Sequence, residues 1–183
     1  MNVSPVGSRD RVLVIGYGNS LRGDDGAGWH AAAALADDPR LADADVLIRH
    51  QLTPELALDI THARLVVLID ACGGAPPGTV SVRRVEPGYP LAPTWSHNLD
   101  PAALVGLAVT LYGASPPVFL VTITGAFFGY GDRLSPPVRQ ALPEIANTID
   151  VLQAQQSPVH GWWRAARPAS RRATGIRNGE QEM

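Results

Sequence analysis

Residues 12–28, Val-Leu-Val-Ile-Gly-Tyr-Gly-Asn-Ser-Leu-Arg-Gly-Asp-Asp-Gly-Ala-Gly, constrain what this chain can fold into more than any other stretch. An apolar run of strand length, Val12 to Ile15, stops at Gly16, a glycine-rich turn follows, and the pattern predicts a helix from about Gly26 to Leu35. Strand, tight turn and helix in that order open a parallel α/β sheet and put the turn at the carboxyl edge of the strand, where ligands of such sheets bind. Two adjacent acids, Asp24 and Asp25, lie in this turn. They are candidates for capping the helix and complementing its dipole, or for offering carboxylate oxygens to a metal. The preferred reading gives one acid to each task, with Asp24 local to the turn and Asp25 at the site. A dinucleotide-binding fingerprint is the competing reading of the glycines. Gly16 and Gly18 fit its first two positions, but Leu21 stands at the third, and a pyrophosphate arriving at this helix start would meet two carboxylates.

The rest of the chain supports the same architecture. Val46–Ile48 reads as a second strand, and Thr53-Pro54-Glu55 as the start of a helix running to about His62. Arg64–Asp70 is a continuous aliphatic run, as a central parallel strand buried on both faces requires, and Asp70 stands at its end. An Asx-type turn explains an aspartate there, and so does a site residue facing Asp25. Gly78–Arg83 alternates and follows a Pro-Pro-Gly turn, which predicts an antiparallel edge strand. A Pro-rich loop over residues 86–98 carries His97 near its end, and loops of that length in a compact domain are usually functional. Next come a helix capped by Asn98 or Asp100, with Leu104, Leu107, Ala108 and Leu111 on its apolar face, and a strand at Pro117–Ile123. Gly125–Gly131 reads as a mobile glycine-rich loop. Ser135 caps a last helix with Pro136 and Pro137 in its first turn and a stripe through Val138, Leu142, Ile145, Ile149 and Leu152. The expected fold is a single α/β domain: a mainly parallel five-stranded twisted sheet, helices on both faces, and one antiparallel edge strand. Residues 1–10 form a flexible leader, 11–156 the domain, and 157–183 an Arg-rich tail, read as disordered apart from Trp162 and Trp163, which are candidates to pack back on the body.

Composition narrows the function classes. With 45% apolar and 17% charged residues over 183 positions, the chain is globular. The net charge of −2 is uneven: residues 157–183 carry +3 and the remainder −5, which disfavours nucleic acid as a partner of the folded part. No apolar run reaches the length of a membrane span, and the N-terminus lacks a basic-then-apolar signal pattern. The lone cysteine, Cys72, rules out an internal disulfide and fits a cytoplasmic setting. It invites a thiol-protease reading, but no histidine is visibly paired with it in the sequence.

Asp25, Asp70 and His97 each flank an element at the carboxyl edge of the expected sheet. Two carboxylates and one imidazole leave coordination positions open and suit a borderline divalent ion such as nickel or zinc. A metal that arrives, is shared with a substrate and leaves fits this set. The block from Gly16 to Gly28, Gly-x-Gly-Asn-x-Leu-x-x-Asp-Asp-Gly-x-Gly, resembles the signature of the [NiFe]-hydrogenase maturation proteases. The likeness continues through Leu68-Ile-Asp-Ala71, His97 before a helix, and Gly131-x-x-Leu-Ser135, over residues 11–155. The resemblance implies an aspartic-type endopeptidase that removes the C-terminal extension of the hydrogenase large-subunit precursor once nickel is inserted. It also implies that Asp25, Asp70 and His97 are both the catalytic set and the contacts to that substrate-borne nickel. No organic cofactor is implied. Asp25 stands where some members have Glu, which keeps the carboxylate and shortens its reach. The stretch His50-Gln-Leu-Thr-Pro-Glu-Leu is similar to the members acting on soluble, cytoplasmic hydrogenases. The group that activates water stays open among the metal, a metal-bound hydroxide and a carboxylate base. A non-catalytic nickel carrier and a nucleotide-binding α/β enzyme are the other classes in play. A monomer is the expected state.

Overall fold

The structure, a computed structural model, describes residues 11–88 and 99–156. The expectations placed on residues 1–10, on His97 and on the tail with Trp162 and Trp163 lie outside the described residues. Five strands, β1 (Val12–Tyr17), β2 (Ala44–Arg49), β3 (Leu65–Cys72), β4 (Val80–Arg84) and β5 (Val118–Thr124), form one sheet in the order β2-β1-β3-β5-β4. All neighbours pair parallel except β4 with β5, so the antiparallel strand is at an edge, as its alternation predicts.

Four helices cover the sheet: α1 (Ala27–Leu35), α2 (Leu56–Thr61), α3 (Pro101–Tyr112) and α4 (Pro136–Gln155). Because strand side chains alternate, β3 sends Leu65, Val67 and Ile69 to one face and Val66 and Leu68 to the other. The first set packs with Val121 and Ile123 against α1 and α4, through Ala31, Leu35, Ile145 and Ile149. The second packs with Ile15 and Leu120 against α2 and α3, through Leu56, Ile60, Leu104 and Ala108. Two cores with one sheet between them explain why β1 and β3 are apolar at nearly every position.

α1 can lie this close only because Gly28 has no side chain. A Cβ there would stand 2.2 Å from the Ile69 carbonyl oxygen and 2.4 Å from that of Tyr17. Gly16 faces the same constraint from the sheet side, its Cβ position being 2.0 Å from the Gly28 carbonyl oxygen. The glycines of the opening block thus set helix-to-sheet packing as well as the turn.

Three elements depart from expectation. Asp70 lies inside β3, opposite Thr122 of β5, because pairing with β5 continues to Cys72 after pairing with β1 ends at Ile69. The helix after Pro54 is shorter than expected: Thr53–Glu55 form a turn, and the Thr53 hydroxyl serves the Glu55 carboxylate. On α3 the buried positions are Leu104, Val105, Gly106 and Ala108, while Leu111 is exposed and Leu107 only packs at the margin. This helix is apolar on almost every side, so periodicity could not select the buried stripe.

Candidate active site

The carboxyl edge of the sheet gathers the chain's reactive groups. β1 leaves the sheet at Tyr17, and the chain turns through Gly18–Arg22 into a single 3-10 turn, Gly23–Gly26, before α1 begins. Asp24 and Asp25 sit in that 3-10 turn, and the fold treats them oppositely.

Asp24 is fully buried. One carboxylate oxygen accepts from the amides of Ala126 (2.7 Å) and Phe127 (2.9 Å), and the other from the amide of Ser135 (2.7 Å). Burial, the largest single influence, raises its pKa, but the amide bonds together outweigh it and hold the carboxyl below the ordinary range. The N-cap position of α1 is Gly26, with no side-chain cap, so neither acid caps that helix. The expectation of a local role for Asp24 is corrected: it ties the first turn to the loop after β5 and to the start of α4. That loop, read from sequence as mobile, is held by these bonds and by backbone pairing of Asp24 with Phe127 and of Gly23 and Leu21 with Gly131. Ser135 occupies the N-cap of α4 as expected, but it contributes its amide to Asp24, and its hydroxyl does not cap.

Asp25 is partly exposed. One oxygen accepts from the Asn19 amide at 3.2 Å, the one hydrogen bond to this carboxylate among the described residues. Asp70 accepts from the Ala71 amide at 2.8 Å. Burial first, together with the charge of Asp25, pushes Asp70 up to about 6, although the Ala71 amide and the Tyr17 hydroxyl work against the rise. The two acids are therefore electrostatic neighbours, and each would gain from a cation between them. Among the described residues no group of three His, Cys, Asp or Glu side chains is placed to hold a metal ion, and His97 lies outside them. The described flanks of its loop converge on α3. The Gly88 amide donates to the Ala102 carbonyl at 2.8 Å, and Asp100 caps α3 through the Ala103 amide, also at 2.8 Å.

Tyr17 is the site residue that sequence reading passed over. It shares the α2/α3 face with Leu13 and Ile15. Continuing the β1–β3 register one step past Gly16 and Ile69 brings it beside Asp70 on that same face. Its hydroxyl is buried, meets the geometry of a hydrogen bond with none of the described residues, and stands close enough to influence the Asp70 carboxylate. Burial and the Asp70 charge push the Tyr17 pKa well up, with Arg83 of β4 pulling the other way, so it remains a neutral donor at any working pH. The signal was available: strand alternation and strand order together place Tyr17 next to Asp70. Cys72 has its sulfur 3.6 Å from the Thr124 hydroxyl, a partner that offers no base.

No family model and no curated protein matches the sequence. Solved structures do match the fold. The Escherichia coli hydrogenase maturating endopeptidase HybD aligns with a TM-score of 0.61 at 21% identity, over 80% of this chain and 94% of its own. A hydrogenase 2 maturation peptidase from a Thaumarchaeota archaeon aligns at 0.59 and 25% identity, over 79% and 97%. The [NiFe] hydrogenase maturation protease HybD of Thermococcus kodakarensis aligns at 0.60 and 24%, over 78% and 98%. The chain has the fold of the hydrogenase maturation endopeptidases, over nearly the whole length of each.

Proposed function

We infer that this chain is a hydrogenase maturation endopeptidase, a hydrolase that trims the C-terminal extension from a [NiFe]-hydrogenase large-subunit precursor after nickel insertion. The observation that carries the reading is the Asp25–Asp70 pair at the carboxyl edge of a sheet whose fold is shared, almost end to end, with proteins of that activity. Among the described residues no helix is long and apolar enough to cross a membrane, and a cytoplasmic site of action is part of the proposal.

Asp25, Asp70 and His97 are assigned to contact the nickel that the precursor brings. The chemistry of the two acids supports this assignment. Among the described residues Asp25 accepts a single hydrogen bond, and Asp70 carries a charge that burial and Asp25 both oppose, which a divalent ion would relieve. An empty precursor offers no such relief, so recognition of the metal gates cleavage. A nickel ion at a carbonyl oxygen acts as a Lewis acid. Without the ion, burial and the Asp25 charge hold Asp70 at about 6; an ion bound there would favour the charged form, so Asp70 would act toward nickel as a carboxylate ligand. Tyr17, with its unspent buried donor, holds the position from which it can steady that carboxylate.

Incubation of the purified protein with nickel-loaded and nickel-free precursor, read by mass spectrometry, tests the reading. Loss of a short C-terminal peptide from the loaded form alone is the expected result. Retention of nickel by the protein with no cleavage would favour a carrier instead.

A further inference from the structure

The loop after β5 carries an apolar surface that the site chemistry does not use. Leu21 is 65% exposed, Phe127 54%, Phe128 37% and Tyr130 95%. Loops that carry exposed aromatic side chains ordinarily fold back or move, whereas the backbone of this one is held in place. The backbone between Leu21 and Asp24 is hydrogen-bonded to that of Phe127 and Gly131, and the Asp24 carboxylate holds the Ala126 and Phe127 amides from beneath. The rings also have prepared seats. A Cβ on Gly23 would stand 2.8 Å from the Phe127 ring, one on Gly129 2.4 Å from it, and one on Gly125 2.6 Å from the Phe128 ring. Each phenyl group therefore lies over glycine on one side and faces solvent on the other. Rigid half-exposed aromatics lose little conformational entropy on association, which is the character of interface anchors.

We propose that Leu21, Phe127, Phe128 and Tyr130 form a docking platform for an apolar surface patch of the large-subunit precursor, seating it before its cleavage segment meets Asp25 and Asp70. The identity of the occupant rests on the proteolytic reading above. Position argues for the substrate over a second copy of this chain. Asp24 lies beneath the platform and beside Asp25, so a second copy bound there would cover the carboxylates, whereas a substrate must bring its reacting segment to this same edge. The platform is tied to the turn that carries Asp25 by backbone hydrogen bonds of Leu21, Gly23 and Asp24 to Phe127 and Gly131.

Binding and cleavage are to be measured separately on purified nickel-loaded precursor, for the wild-type chain, for Tyr130→Ala and for the triple variant Leu21→Ser, Phe127→Ala, Tyr130→Ala. Tyr130 is almost wholly exposed, so its removal leaves the fold intact and keeps the test informative if the triple variant melts early. The expected result is a Kd and KM raised about tenfold or more by the triple variant and severalfold by Tyr130→Ala, with the melting temperature of the single variant unchanged. Unchanged Kd and KM with normal wild-type cleavage would overturn the platform and leave the protease reading standing. Precursor binding lost in the variants, with no cleavage even by wild type, would uphold the platform and overturn the protease reading. Failure of the wild type to bind precursor at all would overturn the platform. So would sedimentation showing that these side chains hold two copies of the chain together.

Discussion

Replacing Asp24 by Asn keeps the side-chain volume but turns one acceptor oxygen into a donor, aimed at amides that also donate. Asp24→Asn is therefore expected to cost about 3 kcal/mol in urea unfolding, well beyond the loss of an ordinary helix cap, because the bonds it spoils are buried and charge-assisted. Asp70 should behave in the opposite sense. Its folded pKa of about 6 lies above the ordinary 3.8, so its contribution to stability is full below about pH 4 and is lost as pH rises through 6. Asp70→Asn should thus abolish cleavage while raising the unfolding free energy at pH 7 by about 1–2 kcal/mol given its partial contact with water, seen as a higher melting temperature, and the gain should fade by pH 4. Tyr17→Phe removes only the hydroxyl beside Asp70, and slower cleavage at an unchanged melting temperature is the expected outcome, read from kcat and a thermal melt. The position of Asp25 and Asp70, each within a residue or two of a strand end or helix start, was legible in the sequence because the strand and helix signals beside them are strong. The role of Asp24 was not, since its partner amides lie 102 to 111 residues away and no local pattern announces them.

At the scale of elements, the contact between α1 and the sheet carries the site. Gly28 touches the backbone of β1 and of β3 at once, and backbone cannot move aside as a side-chain tip can. Gly28→Ala should cost about 3 kcal/mol or more and lower cleavage by displacing the turn that holds Asp25, as paired urea unfolding and activity assays would record. Strands β3 and β5 and helix α4 were legible because continuous aliphatic runs and an amphipathic stripe have few alternative readings. For α3 the existence and the Asp100 cap could be read, but not the buried face, since an all-apolar helix needs its neighbours to choose one.

For the molecule as a whole, pH should act on recognition before it acts on the fold. Acid protonates Asp70 as pH falls through about 6; if Asp70 contacts nickel as proposed, cleavage of loaded precursor should decline below that pH while the protein, relieved of a buried charge, stays folded. A pH–rate profile run beside circular dichroism checks this. Truncation after Gln156 should leave the melting temperature within a few degrees, because the last stripe residues of α4, Ile149 and Leu152, are already packed in the core. The sheet and its two helical layers could be derived from the order of strand and helix signals, whereas the stitching of residues 21–25 to residues 125–131 could not, because it joins distant stretches through backbone groups that every residue shares. That stitching has a consequence in time. During synthesis Asp25 emerges early, but the amides that fix its turn belong to residues made about a hundred positions later. Closing so long a loop comes late, once β5 and the start of α4 have docked. A nascent chain therefore carries its carboxylates without the setting that would let them cut, and proteolytic capacity arrives only when almost the entire domain has left the ribosome.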